Sequence, residues 1–96
     1  MRVTLMWEAR AAEGRGDELL AWARAQELPG GTAGPLRRET FTAPQDRVLV
    51  LTWWETAEGL DAELPELPEP EAALLTRPVH RWRFASVESV ESVESP

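Results

Sequence analysis

The chain has 96 residues, 17 acidic against 10 basic side chains, a formal net charge of −7 and no cysteine. That length holds one hydrophobic core, and 43% hydrophobic with 28% charged residues is the balance of a folded globular protein rather than a disordered one. The acidic excess argues against a nucleic-acid partner, which needs a basic footprint to neutralise phosphates. The missing cysteines exclude disulfides, thiolate metal sites and a thiol nucleophile.

Lys, Asn, Tyr and Ile are absent as well, so a lysine Schiff base and a phenolic acid or base are excluded. One histidine, His80, rules out a two-histidine metal site, and no metal or cofactor is expected. No apolar run approaches the roughly 18 residues of a spanning helix. The opening Met1-Arg2-Val3-Thr4-Leu5-Met6-Trp7 lacks the long apolar region of a signal peptide. A cytoplasmic location without a membrane partner is therefore expected.

In chain order, residues 2–9 predict a strand with Val3, Leu5 and Trp7 on one face and Thr4, Met6 and Glu8 on the other. Gly14-Arg15-Gly16 interrupts the chain, and Asp17 is placed to cap or charge a helix start. Leu19, Leu20, Trp22, Ala23 and Gln26 then form a one-sided stripe at helical spacing, which continues to about Leu28 and ends at Pro29-Gly30-Gly31. Residues 36–43 read as an edge strand and Pro44-Gln45-Asp46 as a turn. The run from Arg47 to Trp54 is the strongest strand, closing a hairpin. A second helix is expected from Thr56 as N-cap, with Glu58 in its first turn, cut short by Pro65, Pro68 and Pro70. A short helical piece over 71–75 precedes a last strand over 79–85, where His80, Trp82 and Phe84 alternate with Arg81 and Arg83. Which face those three occupy is left open by alternation alone. Three copies of Ser-Val-Glu over 86–94 fit neither period. They divide the chain into a domain, 1–86, and a solvated tail, 87–96.

Strand, helix, strand, strand, broken helix, strand is the order of an α+β, ferredoxin-like βαββαβ domain. Its antiparallel sheet has the first and third strands in the middle and helices on one face. The other face should then be polar in a monomer. Met6, Leu49, Leu51 and Trp53 make it apolar, and such a patch marks an interface. A homodimer packed sheet to sheet is the expectation, with those four residues in the interface.

These segments resemble the antibiotic-biosynthesis monooxygenase-like family of dimeric α/β barrels over roughly residues 2–87. The resemblance is carried by Gly14-Arg15-Gly16-Asp17-Glu18-Leu19-Leu20 after the first strand, by the segment from Val48 through Trp53-Trp54-Glu55-Thr56 to Leu60, and by Val79-His80-Arg81-Trp82-Arg83-Phe84. It implies a pocket between helices and sheet where some relatives oxygenate aromatic compounds without a cofactor and others degrade haem. Trp54 stands where haem-degrading relatives keep a tryptophan. Their first-strand Asn falls on Trp7, and their helix histidine falls in the stretch 61–75, which has none. The polyketide-oxidising set of Asn, Trp and Tyr is incomplete too.

From the residues, Trp7 and Trp54 should share a face, with Trp22 approaching from the helix. With Trp82 they are candidates to line a pocket for a flat ligand, or else they fill the core. His80 is the one candidate catalytic base or haem ligand, or a strand histidine held by a neighbour, and its place on the last strand makes haem degradation the least favoured reading. Arg81 and Arg83, with Arg2, form a cationic strip or solvate an edge strand. The acidic run 55–71 reads as a solvated surface, with its Pro-rich part a candidate lid. The expected function is binding of a small hydrophobic or aromatic molecule, with cofactor-independent oxygenation as its catalytic form. The alternative is a non-catalytic dimer that binds a ligand or partner.

Overall fold

Alternating large apolar residues form four strands in the computed structural model, which describes residues 1–28 and 34–91. They are β1 (Arg2–Arg10), β2 (Arg37–Ala43), β3 (Arg47–Glu55) and β4 (His80–Ala85), with one helix, α1 (Gly16–Ala25), between β1 and β2. The sheet order is β2-β3-β1-β4 and every neighbouring pair is antiparallel. This is the expected α+β, ferredoxin-like sheet, with β1 and β3 at its centre.

Period-two alternation sends Val3, Leu5, Trp7 and Ala9 of β1, and Val48, Val50, Thr52 and Trp54 of β3, to one face, where all are buried. Helix α1 lies on that face and buries Leu19 and Ala23 against it. Full burial of a side chain such as Leu19, Val48 or Val50 contributes about 1.5–3 kcal/mol. The opposite face carries no helix among the described residues.

The helix begins one residue before Asp17, which therefore lies in the first turn and not at the cap. Gly16 sits against the β2–β3 turn, where an added Cβ would come within 2.7 Å of Asp46 Oδ1. Asp46 also takes the Gly14 amide on Oδ2 at 3.0 Å and the Ala11 amide on its carbonyl at 2.8 Å. Helix geometry stops at Ala25, three residues short of the expectation, and Pro29-Gly30-Gly31 lies outside the described residues.

The second helix does not form. Thr56 Oγ1 accepts the Glu58 amide as a cap would, but Gly59 then turns left-handed at φ +63. Only a single 3₁₀ turn follows, Gly59–Asp61. A second such turn, Ala72–Leu74, is all that forms of the helical piece expected over 71–75. Between them residues 62–71 run without helix or strand, as prolines at 65, 68 and 70 require. This strap lies over the helix-side face and buries Ala62, Leu67 and Pro70. Beyond β4, Ser86 adds a bond from its amide to Arg2 O at 2.9 Å. Residues 87–91 carry no regular structure, with Val87 and Val90 exposed, and the last five residues of the Ser-Val-Glu tail lie outside the described residues. Among the described residues no helix is long and apolar enough to cross a membrane.

Candidate functional site

The two faces of the sheet hold two different aromatic groups. On the helix side, Trp7 stacks on Trp22 of α1 with ring centroids 5.9 Å apart and planes 19° from parallel. Trp7 Nε1 donates to Pro68 O of the strap at 3.2 Å, and buried Trp54 donates to Thr52 Oγ1 at 3.0 Å. Both indole N–H groups are satisfied inside the protein, as buried tryptophans need. The cavity beside Trp7, lined by Leu5, Val50, Thr52, Leu67 and Arg81 among others, measures about 10 Å³. That is about the space of one water. Trp7, Trp22 and Trp54 thus do share a face, and with the strap Trp7 and Trp22 close the space between α1 and the sheet.

Trp82 does not join them. Its register partner is Met6, whose side chain points to the open face, so β4 turns His80, Trp82 and Phe84 to that face as well. Arg81 and Arg83 point the other way. Arg81 Nη1 donates to Leu67 O and Arg83 Nη1 to Ala62 O, each at 2.6 Å, while Glu66 lies 3.6 Å from Arg83 and 4.0 Å from Arg81. They are therefore neither a ligand strip nor a solvated edge. They hold the strap, whose carbonyls have no helix or ladder of their own to bond to.

On the open face, Met6, Val79, His80, Trp82 and Phe84 line a groove of about 570 Å³ together with Arg81, whose guanidinium turns away to Leu67. The volume lies in the range of small-molecule sites, and the lining has their composition, apolar with one convergent polar group. Trp82 is 66% exposed and Phe84 49%. His80 turns Nδ1 toward Glu8 Oε1 at 3.8 Å, and Arg77 holds the same carboxylate by two hydrogen bonds. Leu49, Leu51 and Trp53 continue the apolar surface across β3, half-buried, with the Arg37 guanidinium 5.6 Å from the Trp53 ring centroid. Among the proposed site residues, the fold brings His80, Trp82 and Met6 together and separates them from Trp7, Trp22 and Trp54. Val79, Phe84, Glu8 and Arg77 were not singled out from sequence. Phe84 shares the parity of Trp82 and was visible in that sense. Glu8 meets His80 only through strand register.

A second depression, about 740 Å³, lies at the end of β3, where Trp54, Ala62, Leu64 and Pro65 line it and Glu55, Glu58, Asp61 and Glu63 rim it. A hydrogen bond from the N-terminal ammonium holds Glu55 below the usual carboxylate range, and one from the Thr56 hydroxyl does the same for Glu58. Both carboxylates are solvent-exposed and already paired, as on a solvated acidic rim. Among the described residues no group of three or more His, Asp or Glu side chains could hold a metal ion.

No family model matches the sequence, and neither does any curated protein. The chain is similar in fold to a solved structure from Chloroflexus aurantiacus J-10-fl, provisionally described as an antibiotic biosynthesis monooxygenase. The TM-score is 0.56 at 17% identity, covering 95% of this chain and 98% of that one. At that identity the likeness speaks for the fold.

Proposed function

We propose that this chain binds a small, flat, apolar or aromatic molecule in the open-face groove, against Trp82, Phe84 and Met6 and beside His80. The observation that carries this reading is the continuous apolar lining around one imidazole, on a protein whose helix-side face leaves only about 10 Å³ beside Trp7. Aromatic side chains supply large, rigid contact area, and the imidazole supplies a directional polar contact.

A catalytic form of this reading is supported by His80 in the groove and by the description of the Chloroflexus protein. With a phenol such as 1-naphthol, His80 Nε2 accepts the hydroxyl proton and the ring carbon para to the oxygen adds dioxygen. The proton returns to the peroxide, and loss of water leaves a quinone. One oxygen atom ends in the product and the other in water, with dioxygen as the sole oxidant. The closed space beside Trp7 favours a purely binding role instead, because it leaves little room between α1 and the sheet for the pocket that the family resemblance implies.

Fluorescence titration with 1-naphthol tests the binding. Trp82→Ala should weaken it about tenfold, the usual loss for an aromatic anchor, while Trp54→Phe should leave it unchanged. Binding that ignores Trp82 removes the groove from consideration. Dioxygen uptake with the same phenol, abolished in His80→Ala, selects the catalytic form; no uptake selects the binding form.

A further inference from the structure

The polar group that the groove offers a ligand is an imidazole, and what it can bind depends on which ring nitrogen carries the proton. Arg81 also lines the groove but spends its guanidinium on Leu67 O. Antiparallel register sets Glu8 of β1 directly across from His80 of β4, with Glu8 Oε1 3.8 Å from His80 Nδ1. The Glu8 side chain is 20% exposed and that of His80 61%, so the ring is free to close the remaining distance by rotating.

We infer that Glu8 is a positioning residue: it holds the proton of neutral His80 on Nδ1, so that Nε2 offers a lone pair and the groove selects hydroxyarenes over arenes that can only accept a hydrogen bond. This deepens the groove reading and rests on it. An ionised carboxylate accepts and never donates. A lone pair on Nδ1 would be repelled by those of Oε1, whereas an N–H there is attracted, and more strongly than between neutral partners. A histidine side chain in water favours the opposite arrangement, with its proton on Nε2. Glu8 reverses that preference.

The carboxylate is fixed before the ring is. Arg77 Nη2 donates to Glu8 Oε1 at 2.5 Å and to Oε2 at 2.8 Å. Those bonds take two of the roughly four lone-pair sites of the carboxylate and leave one on Oε1 for His80. Arg77 is itself carried by a segment tied to β1. The Thr76 amide donates to Arg10 O at 3.0 Å, and the Thr76 hydroxyl donates to the same oxygen at 3.3 Å. Next to His80, the Val79 amide donates to Glu69 Oε1 at 3.0 Å. An arene lying against Trp82 and Phe84 then meets an acceptor at its polar edge. A hydroxyl satisfies that acceptor, while an ether oxygen sets lone pair against lone pair.

Nitrogen-15 labelling of histidine tests this, because His80 is the chain's one histidine and its two ring signals need no assignment to a residue. At about pH 8, above the ordinary range of imidazole, NMR should show the wild-type ring protonated mainly on Nδ1. Glu8→Gln keeps the side chain's shape, but its carbonyl goes to Arg77 and its amide N–H turns to the ring. The proton should then move to Nε2. A role for Glu8 confined to anchoring Arg77 would leave the proton where it was, so a folded Glu8→Gln still protonated on Nδ1 overturns the inference. In fluorescence titration the wild type should bind 1-naphthol about fivefold more tightly than 1-methoxynaphthalene, the worth of one hydrogen bond. His80→Ala should bind the two alike. A wild-type ring protonated on Nε2 overturns the inference, and both wild-type measurements stand if Glu8→Gln does not fold. Equal wild-type affinities that still depend on Trp82 overturn it as well and leave the groove intact as a site. If neither naphthalene binds, the groove reading fails and the selectivity with it.

Discussion

At the scale of single residues, the five tryptophans have two different jobs, and side-chain direction separates them. Trp7 is 3% exposed, stacked on Trp22 and bonded to the strap carbonyl of Pro68, so it joins β1, α1 and the strap in one contact set. Truncating a buried aromatic removes its transfer energy and leaves a cavity. Trp7→Ala should therefore destabilise the fold by about 3–5 kcal/mol in urea unfolding. A loss below about 1 kcal/mol would mean that the site relaxes and that Trp7 is less tightly packed than its contacts indicate. That Trp7 and Trp54 share a face was legible in the sequence, because both lie on clearly alternating strands. The side of the sheet that Trp82 occupies was not. Alternation groups it with His80 and Phe84, but its face depends on pairing opposite Met6 in a strand 76 positions away. Short edge strands carry too little pattern to fix that register alone.

At the scale of elements, the departure from expectation lies between β3 and β4, where a strap with two 3₁₀ turns replaces a helix. The prolines at 65, 68 and 70 and the capping contact at Thr56 were legible. The way the strap is fastened was not, because its anchors, Arg81 and Arg83, sit on the last strand and read locally as edge-strand charges. Extended segments without a ladder must find donors elsewhere, and these guanidinium groups supply them to Leu67 O and Ala62 O. Arg83→Met keeps the stem and removes the donors to Ala62 O and Leu60 O. The carbonyl left without its partner costs about 1–3 kcal/mol. That loss should be local, appearing as faster hydrogen exchange at the Ala62 amide while the central amides of β1 and β3 stay protected. Unchanged exchange at Ala62 would show that the strap is held without Arg83, by the Arg81 and Trp7 bonds to its carbonyls and by burial of Leu67 and Ala62.

At the scale of the whole molecule, the strand order was legible because four alternating segments with one clear helix leave few right-handed, antiparallel arrangements. The apolar outer face was legible chiefly from β3, which carries large apolar side chains at both parities, with Met6 added from β1. Net charge and its distribution lead to an expectation about salt. In the sheet-to-sheet homodimer that the sequence leads one to expect, two chains of −7 approach through open faces on which Arg2, Arg10, Arg37 and Arg47 offset Glu8, Glu39 and Glu55, so the long-range interaction is repulsive while the contact itself carries little charge. Raising the ionic strength from about 10 mM to about 150 mM shortens the screening length from roughly 30 Å to roughly 8 Å. That screens the repulsion between the acidic outer surfaces and leaves the apolar contact unaffected. Dimerisation should therefore tighten severalfold over that range when followed by sedimentation equilibrium. An association held by complementary charged patches behaves oppositely and weakens as salt is added. A weaker dimer at 150 mM would thus place the contact on the acidic strap and helix surfaces meeting arginines, and not on the open sheet face.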